Sequence, residues 1–186
     1  MKLISAALAF TLLGFQQGKT PKESDVSINA NFGVSIRRPA KNDEWDFKEK
    51  GGFFTNSHLV VVHKVDQICI EVFAQDKATG FGSYDIKDAA RKEFTNIAGF
   101  QGITEAKQVT IANQKLPGGG AGNVTASFLD MTFKKDDKPM EMRIWVFIGK
   151  NQNLFKVMMS GDEGMYKKHQ KVADQILSSI ETFKPK

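Results

Sequence analysis

Three histidines (His58, His63, His169) and three acidic pairs (Asp43–Glu44, Asp136–Asp137, Asp162–Glu163) are the side chains best suited to proton transfer or metal binding. Their spacing forms no local motif. His58 and His63 stand five apart, which on a strand turns them to opposite faces, and His169 lies in KKHQK, on the expected solvent face of the last helix. A histidine–carboxylate site would have to be assembled from separated residues, such as His58 or His63 with an acid from a turn. The acidic pairs fall in expected turns, where solvation alone accounts for them. Ser160-Gly161-Asp162 ends an expected strand, and no GxSxG elbow is present to expose a nucleophile. Cys69 is the sole cysteine, so it makes no internal disulfide and joins no cysteine cluster; within QICIEVFAQ it reads as a small buried hydrophobe. No catalytic residue, metal-ligand motif or cofactor is assigned.

The stretch LPGGGAGNVTASFLDM, residues 116–131, invites comparison with a phosphate cradle. Such a loop needs a helix N-terminus behind it and, in the Walker form, a Lys followed by Ser or Thr. Here the glycines lead into NVTASF, which lacks the lysine and has the β-branched, aromatic character of a strand. The expectation is a flexible connector in which glycine permits positive φ.

The elements that must position these residues are legible from periodicity. NFGVSIRRP alternates, with Phe32, Val34 and Ile36 on one face, and DEWDF places Trp45 and Phe47 together. Leu59–Val62 is apolar on both faces, and QICIEVFAQ returns from it as an antiparallel hairpin. Ile86, Ala90, Phe94 and Ile97 then repeat at helical spacing after the candidate N-cap Asp85. Four strands follow: AKQVTIAN, with Val109 and Ile111 alternating; NVTASFLDMTF; EMRIWVFIGK, apolar on both faces; and NLFKVMMSG. A final helix carries Val172, Ile176, Ile180 and Phe183 on its apolar side and ends at Pro185. Short turns between consecutive strands demand antiparallel pairing. The expected class is α+β, built around one antiparallel sheet.

A chain of 186 residues can bury a core without staples. Its N-terminus, MKLISAALAFTLLGFQQG, joins one lysine to an apolar run from Leu3 to Phe15, which is too short to span a bilayer and suits a secretory signal. A buried N-terminal helix is the alternative. The expected organisation is a signal over 1–18 with an uncertain cleavage point, a linker over 19–29 and a domain over 30–186. The localisation would be periplasmic or extracellular, with no stable transmembrane segment if the signal is cleaved. The formal charge of +5, less the +1 of Lys2, leaves +4 with acids and bases interspersed, which excludes the dense basic stripe of a nucleic-acid binder.

Two clusters suggest a partner-contact surface. Trp45, Phe53 and Phe54 flank a glycine pair, and Lys167, Lys168 and Lys171 crowd the first turns of the final helix, where the dipole disfavours cations. The lysines suit an acidic partner or an anionic membrane surface; a solvated helix face is the plain alternative.

The opening FGVSIRRPAKNDEWDF resembles the strand, Pro, short gap and Trp-x-Phe start of PsbP-like proteins, a superfamily that includes the Mog-type Ran-binding proteins and many exported bacterial proteins. The close is similar too: NLFKVMMSG, a turn, Tyr166, then a helix ending ILSSIETF. The resemblance implies an α/β/α sandwich with a central antiparallel β-sheet and a mostly non-enzymatic role in binding or assembling protein complexes. No position matches photosystem docking or Ran binding. The expected function is an exported, non-catalytic binding or complex-assembly module whose partner is another envelope or extracellular protein. The alternative is a metal- or small-molecule-dependent protein or enzyme with a site assembled from separated residues, the small molecule lying between sheet and helix.

Overall fold

The computed structural model describes residues 25–39, 44–48, 53, 56–76 and 86–185. The strands are β1 (Val26–Asn29), β2 (Val34–Arg37), β3 (Trp45–Lys48), β4 (Leu59–His63), β5 (Cys69–Gln75), β6 (Ile103–Lys115), β7 (Thr125–Lys135), β8 (Lys138–Ile148), β9 (Leu154–Asp162) and β10 (Glu181–Thr182). Helix α1 (Ile86–Ala98) lies between β5 and β6, and α2 (Met165–Ser178) between β9 and β10.

Seven strands form the main sheet in the order β3-β4-β5-β9-β8-β7-β6, and every neighbouring pair is antiparallel. Period-two alternation divides its side chains between two cores. In β8, Met142, Ile144 and Val146 join Ala89, Ala90 and Ile97 of α1, whereas Trp145 and Phe147 join Ala173, Ile176 and Leu177 of α2. The sheet therefore lies between two helices as an α/β/α sandwich, the expected α+β class. The β7–β8 hairpin turns on Asp136 and Asp137, with φ of 50° and 64°. These left-handed residues make the tight two-residue loop whose twist matches the strands.

A second sheet, in the order β1-β2-β10, joins the two ends of the described chain. Its first strand occupies residues 26–29, which the sequence suggested as the end of a linker. Its last strand shortens the final helix: α2 stops at Ser178, so Ile180 and Phe183 lie beyond it. The Ser179 hydroxyl donates to the Ile176 carbonyl (2.6 Å) and accepts the Arg37 amide (2.9 Å), tying off the helix where β2 offers an edge to pair. A second departure is in β6, where the register shifts between Gln108 and Thr110. The bulge leaves Val109 exposed and breaks its expected alternation with Ile111.

The glycine loop is held more tightly than a flexible connector. No helix opens behind it, and β7 follows directly. Gly118, Gly119 and Gly122 adopt positive φ as expected, yet Gly120 and Ala121 are buried and the Ala121 amide donates to the Ile180 carbonyl at 2.6 Å. The segment is a plug under the C-terminal end of α2. The proposed signal, Phe54 and the N-cap Asp85 lie outside the described residues.

Candidate functional site

The polar cluster richest in chemistry forms where the end of β4, its turn and α2 meet. Register places His63 opposite Trp45 on β3. Trp45 is fully buried and presents its ring edge-on to two imidazoles, with centroids 5.2 Å from His63 and 6.2 Å from His169. The imidazoles lie 4.2 Å apart. His169, expected on an open helix face, is largely buried in this contact because the turn folds over it.

The turn supplies the acid. Asp66 Oδ2 accepts from Lys168 Nζ at 2.8 Å and lies 2.5 Å from His169 Nε2. Those hydrogen bonds, Lys168 first and His169 second, hold the Asp66 carboxyl below its ordinary range. The Asp66 amide donates to His63 Nδ1 at 3.0 Å, so a neutral His63 carries its proton on Nε2. That Nε2 is buried without a hydrogen-bond partner among the described residues, and Glu44 Oε2 stands 3.5 Å away. His63, Asp66 and His169 thus each bring one ligand-type atom to within 4.8 Å of the others.

The third histidine stays apart. His58 packs edge-on against Phe32 at 4.4 Å, its Nδ1 accepts the Ala74 amide at 3.3 Å, and burial lowers its pKa. The two histidines of one strand segment do not meet, in accord with their spacing; the pair that does meet spans β4 and α2.

Of the three aromatics expected to share a surface, the described two, Trp45 and Phe53, are not brought together. Trp45 belongs to the core under α2 and reaches no surface. Phe53 is divided from it by the sheet and packs on the α1 side, edge-on to Phe133 at 5.6 Å, with Lys135 Nζ 4.4 Å from its ring centre. Lys167, Lys168 and Lys171 do form an exposed group on α2. The helix-dipole penalty on them is met from β8, where Glu141 Oε1 accepts the Tyr166 amide at 2.6 Å. Beside the lysines the β4–β5 turn projects Val65, 76% exposed, and Lys64.

Asp66 and Glu141 take roles that no local motif marks. Asp66 follows His63 by three residues in HKVD, a spacing that returns a turn acid to its histidine, but only α2 brings His169 to it. On the α1 side, Phe73, Glu93, Asn96, Phe100 and Lys156 line an open cleft of about 520 Å³, crossed by a 3.1 Å Lys156–Glu93 ion pair.

No protein-family model matches the chain, and no curated protein matches it in sequence. Solved structures do match in shape. Cyanobacterial PsbP (CyanoP) from Synechocystis sp. PCC 6803 aligns over 92% of this chain and 99% of its own, with a TM-score of 0.56 and 12% identity. The fold is PsbP-like. LpqN of Mycobacterium tuberculosis, which is involved in cell envelope biogenesis, aligns over 80% of this chain and 82% of its own, with a TM-score of 0.50 and 10% identity. Identity this low establishes the PsbP-like architecture alone. No helix among the described residues is long and apolar enough to cross a membrane.

Proposed function

We propose that this chain is an exported, non-catalytic binding module that assembles with an acidic protein of the envelope or extracellular space. The observation that carries the reading is the α2 surface. Lys167 and Lys171 are exposed and make no ion pair among the described residues, and the turn carrying Lys64 and exposed Val65 is fixed beside them through Asp66. A basic rim around a small apolar tip suits a partner with an acidic rim, because complementary charge steers encounter and a packed apolar contact slows release. The apolar N-terminal stretch supports export, and the envelope role of the similarly folded LpqN supports an envelope setting.

The test is photo-crosslinking in cells, with a photoreactive residue at position 171 on α2 or at position 91 on α1. The expected result is one acidic envelope protein captured from position 171 and not from 91, with capture lost when Lys167 and Lys64 are changed to Glu. Equal capture from both faces, or none, overturns it.

A further inference from the structure

We propose that His63, Asp66 and His169 form a binding site for a divalent transition-metal ion of the zinc class. Two imidazoles and one carboxylate are a donor set suited to such an ion. Their ligand-type atoms already lie within 4.8 Å of one another. Ligands about 2.0–2.1 Å from a tetrahedral ion stand roughly 3.3 Å apart, so side-chain rotation suffices to close the site.

Hydrogen bonding accounts for only part of the cluster. The Asp66–Lys168–His169 contacts would hold the turn to α2 without His63. Yet His63 is buried with its imidazole 4.2 Å from that of His169, and its Nε2 lacks a hydrogen-bond partner among the described residues. A buried nitrogen that makes no hydrogen bond is unfavourable, and the nearest acid to this one, Glu44 Oε2, stands at 3.5 Å. An ion shared with His169 and Asp66, whose Oδ2 lies 3.9 Å from His63 Nδ1 and 2.5 Å from His169 Nε2, gives the second imidazole a role. Trp45 closes the core side of the pair.

A competitor for the ion already sits in the cluster. Lys168 Nζ holds the Asp66 oxygen at 2.8 Å, with its side chain 56% exposed. A dication entering the cluster displaces that ammonium into solvent. Binding also requires His63 to surrender either the Asp66 amide bond at Nδ1 or the proton at Nε2, so protons compete with the metal.

The experiment titrates the full chain, stripped with EDTA, with zinc by calorimetry and with cobalt by visible absorption. The expected result is one ion per chain and a cobalt spectrum with nitrogen ligation. His169→Gln and Asp66→Asn should each weaken zinc binding by about 100-fold or more. Both sit at the partly exposed side of the cluster, and circular dichroism of each variant checks that it folds. His58→Gln should leave affinity unchanged, and Lys168→Ala should raise it severalfold, whereas a purely hydrogen-bonded cluster predicts no gain. Absence of saturable binding, or zinc affinity unaltered by His169→Gln, overturns the proposal.

Discussion

Gly120 and Leu177 touch backbone to backbone: a methyl group placed on Gly120 would stand 2.2 Å from the Leu177 carbonyl oxygen. The glycine-rich stretch is thus defined by what it must approach, the C-terminal end of α2. Its φ of −48° and ψ of 154° suit any residue, so glycine is required there by space alone.

Gly120→Ala should therefore destabilise the domain by about 1–3 kcal/mol through overpacking. Gly164→Ala is the contrasting case, with a φ of 85° and nothing within 4 Å; it should cost about 1–2 kcal/mol through backbone strain alone. Urea denaturation measures both. Repacking around Leu177, seen as chemical-shift changes in α2, should accompany only the first.

Trp45→Ala should cost about 3–5 kcal/mol, because it empties a fully buried indole site between the sheet and α2. Lys171→Ala, on the exposed side of the same helix, should stay within about 0.5 kcal/mol. Equal losses in denaturation midpoint would contradict the separation between core tryptophan and surface lysine.

The Cys69 thiol should be inert in the folded protein. Burial, with the Glu71 charge as a second cause, pushes its pKa far above the ordinary thiol range, leaving almost no thiolate at neutral pH. A thiol reagent at pH 8 should label it only as fast as the domain unfolds. Fast native labelling would refute its place as a buried small hydrophobe on β5.

Tyr166 gives the pH dependence a clear sign. Burial, then the hydrogen bond its hydroxyl donates to Asp174 at 2.7 Å, raises its pKa from 10.0 to about 12. The folded state keeps a proton that the unfolded chain loses first. This contribution is fully present below pH 10 and disappears as pH rises through about 12. Between wild type and Tyr166→Phe, the difference in stability should shrink over that alkaline interval, with tyrosinate absorbance tracking it.

The sandwich was largely legible in the sequence because its evidence is periodic. Ile86, Ala90 and Ile97 announce α1 by spacing, and β8 announces its place by being apolar on both faces. What escaped depends on tertiary approach. Ile180 and Phe183 continue a helical apolar stripe, and only the edge of β2 draws the chain out of the helix at Ser179. Trp45 and Phe53 are near in sequence and look like one patch, yet the sheet passes between them. The candidate site is half visible in the sequence: His63 with an acid from a turn is a pairing the chain offers, but Asp66 gains His169 only when α2 docks, a distance in sequence that no local pattern encodes.

The pairing of β2 with β10 also governs when the domain can finish folding. Val34 and Ser35 wait for Thr182 and Glu181, and Asn151 Nδ2 donates to the carbonyls of both Phe32 and Phe183, at 2.8 Å each. A chain emerging N-terminus first from a ribosome has made the whole seven-stranded sheet and α2 before β2 meets this partner. The meander from β6 to β9 closes through adjacent hairpins, but the β2–β10 clasp joins strands separated by the whole main sheet. Until β10 has been made, β2 is the open edge of a two-stranded hairpin, and a hairpin alone is marginally stable in water.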